Sequence, residues 1–154
     1  MLFRSPASNL DDQLIVINSE GLSPTFQLAE IIRRHFDQLN FSRGIEAWVQ
    51  SVYGCNEYID FRAPWALRKT DPKQMSDVLA SLFITIRDLA ILIQPIVPAA
   101  AGTLLDQMGI PANERTFSAL ADMTWYERLR ATDFRLSQPV GIFPRLELPT
   151  EGTV

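Results

Sequence analysis

Asn56-Glu57-Tyr58-Ile59-Asp60-Phe61-Arg62-Ala63-Pro64-Trp65-Ala66-Leu67-Arg68-Lys69 begins inside a helical pattern and breaks it at Pro64. Proline has no N–H and disfavours the α conformation at the residue before it, so the helix is predicted to end near Arg62. Trp65 then stands on a rigid corner between two helices, with Arg68 and Lys69 within one turn beyond. An aromatic ring on a fixed corner beside positive charge suits an unstacked base. The alternative is that Trp65 only anchors a core, where aromatic side chains dominate. The residues alone leave both readings open.

Working outward, the upstream helix runs from about Ser42 to Phe61, with Ile45, Trp48, Val49, Val52 and Ile59 at helical spacing. Asn56 falls on that stripe. A buried amide needs partners, so Asn56 is expected to bond free backbone groups at Ala63-Pro64-Trp65 and brace the corner. The Tyr58 ring is expected to pack while its hydroxyl finds a polar partner. Both residues are read as structural support.

Downstream, Asp71 caps a helix, Pro72 takes its first position and Gln74 is placed for a capping box. Val78, Leu82, Ile86, Leu89 and Ile93 form one face, widened by Leu79, Phe83 and Ala90. The 72–94 helix should therefore be central, and an antiparallel neighbour of the 42–61 helix. Pro95 and Pro98 break it, and a fifth helix carries Leu104, Leu105 and Met108 to a capping Gly109.

Towards the N-terminus, Ser8 or Asn9 can cap a short helix with Leu10, Leu14 and Ile17 inward, ending at Gly21. Ser23-Pro24 opens the second helix, with Leu28, Ile32, Phe36 and Leu39 on one face. After Gly109 the pattern reads as loop, apart from a turn near Phe117 to Leu120. In the stretch 140–148, Val140, Ile142, Leu146 and Leu148 alternate as in an extended segment. One lone strand has no partner here, so it lies across the bundle or pairs outside the chain. The expected fold is an all-α bundle of about five helices with an extended C-terminal tail. It forms one domain over 1–154, less regular at 1–20 and 110–154.

Composition fits a single globular domain with a full core: 154 residues, 47% hydrophobic and 21% charged. The single Cys55 excludes an intramolecular disulfide and points to a reducing, cytoplasmic setting. Met1 to Pro6 shows no apolar signal core, and Arg87, Asp88 and Gln94 flank the longest apolar run, Leu89–Ile93, which reads as a buried helix rather than a membrane span. The net charge of −4 argues against a general nucleic-acid binder. Locally the balance reverses: from 62 to 73, Arg62, Arg68, Lys69 and Lys73 face Asp71 alone, a net of +3. Such a patch suits a few phosphates or a solvated helix junction.

Catalytic and metal signatures do not stand out. There is no Gly-rich phosphate loop, and one Cys and one His cannot build a Cys-rich zinc site. His35 follows Arg33-Arg34 and reads as a surface or packing residue. Asp11-Asp12 reads as a helix start.

Asn-x-Tyr, five residues, then Pro-Trp-x-Leu and a basic residue resembles the anticodon-binding domain of methionyl-tRNA synthetase. The resemblance extends through Lys69-Thr70-Asp71-Pro72, the Met75–Gln94 helix, Pro95-Ile96-Val97-Pro98, Leu104-Leu105-Asp106-Gln107-Met108-Gly109 and Phe143-Pro144-Arg145. It covers roughly residues 20 to 147. Related class I synthetases share parts of the series. The resemblance implies a partner, the tRNA for methionine through its anticodon loop. Trp65 would stack on the first anticodon base, a cytosine, and Pro64 would help shape the pocket. Arg68 and Lys69 are candidate phosphate contacts, with Asn56 and Tyr58 as scaffolding.

The family's ATP-dependent chemistry belongs to a separate catalytic domain, marked by a His-x-Gly-His type motif and a Lys-Met-Ser-Lys type loop. Neither occurs here; Lys73-Gln74-Met75-Ser76 opens a predicted helix after a capping Asp. The chain is therefore expected to be a non-catalytic C-terminal part that holds no cofactor or metal. ATP and Mg belong to the catalytic domain of the same enzyme. The family's Asn-x-x-x-Arg reading helix would precede Met1. The alternatives are the anticodon domain of another class I synthetase, or a helical protein-interaction module. Burial of Trp65 discriminates: an enclosed ring favours the interaction module, an exposed face favours tRNA.

Overall fold

The computed structural model describes residues 25–121, 124, 127–129, 136 and 138–143. The short helix expected around residues 9–20 and the extended run beyond 143 lie outside them. The described chain is helical: α1 (Thr25–Asp37), α2 (Phe41–Arg62), α3 (Pro64–Thr70), α4 (Pro72–Ile93) and α5 (Pro98–Gln107). Two 3-10 turns follow, at Ala112–Glu114 and Phe117–Ala121. The all-α bundle is as expected, with one addition: the corner carrying Trp65 is itself a helix, α3.

Local chemistry accounts for most boundaries. Asp71 serves two helices at once. Its amide closes α3 on the Leu67 carbonyl at 2.9 Å, and its carboxylate accepts from the Gln74 amide at 2.9 Å to start α4. The reciprocal half of the expected capping box is missing, because the Asp71 amide is already taken. Pro72 and Pro98 occupy first-turn positions of α4 and α5, where a missing N–H costs nothing. Gly109, at φ +67°, follows the end of α5 in the left-handed conformation that glycine adopts without strain.

α4 is the centre. Every residue from Arg87 to Leu92 is buried, so at this level the helix is covered all round. α1, α2, α3, α5 and the Phe117–Ala121 turn all pack on it. α2 and α4 run antiparallel: the Trp48 indole, near the start of α2, donates to the Leu89 carbonyl near the end of α4 at 2.8 Å. Leu28 and Ile32 of α1, Leu105 of α5, Met108, Ile110 and Leu120 close the core.

Expectations about helix faces require correction on α2, α1 and α4; on α4, Leu79 and Ile86, expected on the packed face, are exposed. The fully buried residues of α2 are Gly44, Ser51, Cys55 and Tyr58, whereas of the expected stripe Ile45, Trp48, Val49, Val52 and Ile59 are only half-buried, with Trp48, Val52 and Ile59 packed against the core. The observed stripe is displaced by one residue, about 100° of helix rotation. Small residues decide it. Gly44 lies so close to α1 that an added Cβ would stand 2.5 Å from the Phe36 ring, and Ser51 returns its hydroxyl to the Ala47 carbonyl at 2.9 Å. The second correction is Leu39, which lies past the end of α1 at φ 61° with its side chain 75% exposed.

A buried ion pair fastens the segment after α5. Arg87 and Asp88 are 1% and 3% exposed and meet at 2.8 Å. Arg87 also donates to the Ala119 carbonyl at 2.9 Å, and Gln94 donates to the Arg115 carbonyl at 2.8 Å. In the sequence, Arg87 and Asp88 stand only as polar flanks of an apolar run.

Candidate nucleic-acid interface

The corner behind α2 is built by the backbone. Ala63 closes α2 by donating to the Ile59 carbonyl at 2.9 Å, and it adopts φ 43°, ψ 59°. Pro64 disfavours the α conformation there, and Ala63 instead turns left-handed, which for an L-residue costs roughly 1–2 kcal/mol. Pro64 is then buried as the first residue of α3, and Leu67, one turn on, packs against the core. Those two residues pin α3 by one face.

The other face is presented outward. Trp65 is 63% exposed. Arg68 and Lys69, three and four residues on, share its side of the helix and are exposed. Lys73 is also exposed, and none of the three cations has an ion-pair partner among the described residues. Ion pairs elsewhere are plentiful: Arg33 joins Glu30 and Asp37, Arg43 joins Glu46, and Arg115 joins Asp106. Arg68 and Lys69 thus present unpaired positive charge on the same side of α3 as the exposed indole.

The expected bracing by Asn56 is not found. Asn56 is exposed and makes no hydrogen bond to the Ala63-Pro64-Trp65 corner. The one-residue displacement of the buried stripe explains this, since it turns position 56 outward and position 55 inward. Tyr58, expected to pack, does so one turn before the corner. Its ring is buried, and the Arg62 guanidinium lies 5.6 Å from its centroid. Its hydroxyl, however, lacks the expected polar partner among the described residues.

Sequence reasoning overlooked Phe61. Its ring is 66% exposed in the last turn of α2, and the Arg62 guanidinium sits 6.0 Å from its centroid. The available signal was a large apolar residue off the apolar stripe, immediately before the corner.

No group of His, Cys, Asp and Glu among the described residues can hold a metal ion. No helix among them is long and apolar enough to cross a membrane. What the site offers is a fixed aromatic face, a second exposed ring and a cluster of unpaired cations. That combination suits stacking and phosphate contact rather than bond-making.

A helical bundle carrying such a corner defines a nucleic-acid-binding domain of the anticodon-recognition type. The family described as the anticodon binding domain of methionyl tRNA ligase matches residues 25–140, and the chain belongs to that family. Among curated relatives, the methionine–tRNA ligase of Rickettsia bellii is 42% identical over 92 residues, covering 60% of this chain and 17% of that protein. The methionine–tRNA ligase of Mycobacterium bovis is 33% identical over 127 residues, covering 79% and 23%. The crystal structure of apo methionyl-tRNA synthetase from Mycobacterium tuberculosis superposes with a TM-score of 0.66 at 26% identity, covering 95% of this chain and 28% of that one. The chain thus spans about a fifth of the length of the curated relatives it matches.

Proposed function

We propose that this domain recognises the anticodon loop of the methionine tRNA as one non-catalytic unit of a cytoplasmic methionine–tRNA ligase. An anticodon base stacks on Trp65, Pro64 shapes the pocket edge, and Arg68 and Lys69 contact phosphates. The tRNA is thereby selected and its acceptor end oriented toward a catalytic domain elsewhere in the enzyme, where ATP and Mg act. Single-stranded loop bases are read in this way, splayed onto aromatic rings and hydrogen-bonded along their edges.

The observation that carries the reading is the exposure of Trp65 on a backbone-fixed corner beside Arg68 and Lys69, two exposed cations without carboxylate partners among the described residues. A core anchor would be enclosed, and a helical protein-interaction module has no need of unpaired charge at that place. The test is aminoacylation by the intact ligase, wild type and Trp65→Ala, with cognate tRNA and with tRNA altered at the first anticodon base. Loss of the stack is expected to lower cognate efficiency by about 5- to 150-fold and to blunt sensitivity to the base change. Methionine activation should be unaffected. Equal sensitivity in both enzymes would remove Trp65 from the reading surface.

A further inference from the structure

We propose that Phe61 and Arg62 form a second nucleotide contact beside Trp65. The Phe61 ring stacks on an unpaired base, and the Arg62 guanidinium meets a phosphate of the same strand. The inference rests on the anticodon reading above and adds two residues to it.

Phe61 is a bulky ring 66% exposed, which a structural role at the end of α2 does not require. It directly precedes the turn that carries Trp65, so both rings belong to one end of the bundle. Arg62 lies 6.0 Å from the Phe61 centroid and 5.6 Å from the buried Tyr58 centroid. Two rings thus fix the direction of the guanidinium before any ligand arrives, which reduces the entropy lost on binding.

Arg62 also lacks the partner that a buried or half-buried arginine normally has. Its Nε is shielded from solvent without a hydrogen-bond acceptor. Glu57 and Asp60 are close in sequence, yet no carboxylate among the described residues pairs with it. A planar, always-charged fork held on aromatic rings and left unpaired suits a phosphate. Arg68, Lys69 and Lys73 extend the same positive patch, so the strand approaching Trp65 is drawn across it.

The experiment measures binding of a labelled anticodon stem-loop RNA to the intact ligase over a range of salt concentrations. Cognate and anticodon-altered loops are compared for wild type, Arg62→Gln, Arg62→Lys and Phe61→Leu. Arg62→Gln is expected to weaken both loops by the same factor. It should also reduce the slope of log affinity against log salt by about 0.7, the value for one phosphate on a single strand. Arg62→Lys should restore the slope. Phe61→Leu should keep the wild-type slope and weaken binding by about 5- to 150-fold.

Wild-type slope and affinity in Arg62→Gln, or wild-type affinity in Phe61→Leu, would overturn the proposal and leave the pair as a cover for Tyr58. A different outcome isolates the parent reading: a wild-type enzyme that cannot distinguish the two loops removes anticodon recognition itself, and this contact with it. Because Phe61 is exposed, Phe61→Leu keeps its fold even where an Arg62 variant uncovers Tyr58.

Discussion

Gln107 holds Val140 by both of its backbone groups. The side-chain Nε2 donates to the Val140 carbonyl at 2.9 Å, and Oε1 accepts the Val140 amide at 2.8 Å. A primary amide carries the same donor and acceptor that a neighbouring strand would offer. One residue of α5 therefore does for the extended tail what a β-partner would have done. Ile142 and Phe143 then come to line the groove between α2, α4 and α5, together with Trp48 and Ile93. Replacing Gln107 with Ala should release this attachment. We expect hydrogen exchange at the Val140 amide to accelerate while α4 amides keep their protection. The global cost should be about 0.5–1.5 kcal/mol, because the bonds are exposed.

Gly44→Ala sets two effects against each other. Alanine is favoured over glycine inside a helix by about 1 kcal/mol. Its Cβ, however, would stand 2.5 Å from Phe36 Cε1 and 2.8 Å from Cδ1. Overpacking of this kind costs roughly 1–3 kcal/mol, so we expect net destabilisation. Adding Phe36→Leu should recover part of the loss. A raised denaturation midpoint in the single variant would show that α1 yields easily.

The Arg87–Asp88 pair should be intolerant of half-removal. Asp88→Ala leaves a buried guanidinium without its carboxylate and is expected to cost about 3–5 kcal/mol by denaturant unfolding. Replacing both residues with apolar ones should cost clearly less than the sum of the single losses. The double-mutant cycle measures the difference.

Cys55 predicts a dependence on alkaline pH. Burial pushes its thiol from the ordinary 9.0 up to about 11. Between those values the unfolded chain releases a proton that the native chain retains. Stability from this group is thus complete below pH 9 and is lost as pH rises towards 11. The stability of wild type relative to Cys55→Ala should fall across that window. Native Cys55 should also alkylate slowly, because the reactive form is the thiolate.

The features legible in sequence were those decided within a turn or two of chain. Pro64, Asp71-Pro72, Pro98 and Gly109 mark helix boundaries through backbone geometry and missing or satisfied N–H groups, whatever packs nearby. The corner that displays Trp65 was readable for the same reason. The dense apolar pattern of 78–93 likewise identified α4 as central, since such a helix must be covered on several sides.

What the tertiary structure decided was which face of each helix is covered. Apolar spacing placed Asn56 inward. Close contact at Gly44 and the small Ser51 and Cys55 turned α2 so that Asn56 faces out and Tyr58 faces in. Arg87 and Asp88 read only as polar flanks of an apolar run, whereas the chain beyond α5 returns a carbonyl from Ala119 and both are buried. The tail found its partner in a side chain 33 residues away. Each of these outcomes depends on contacts between residues far apart in sequence. Periodicity alone does not encode them, because it records how apolar a face is and not which neighbour comes close enough to cover it.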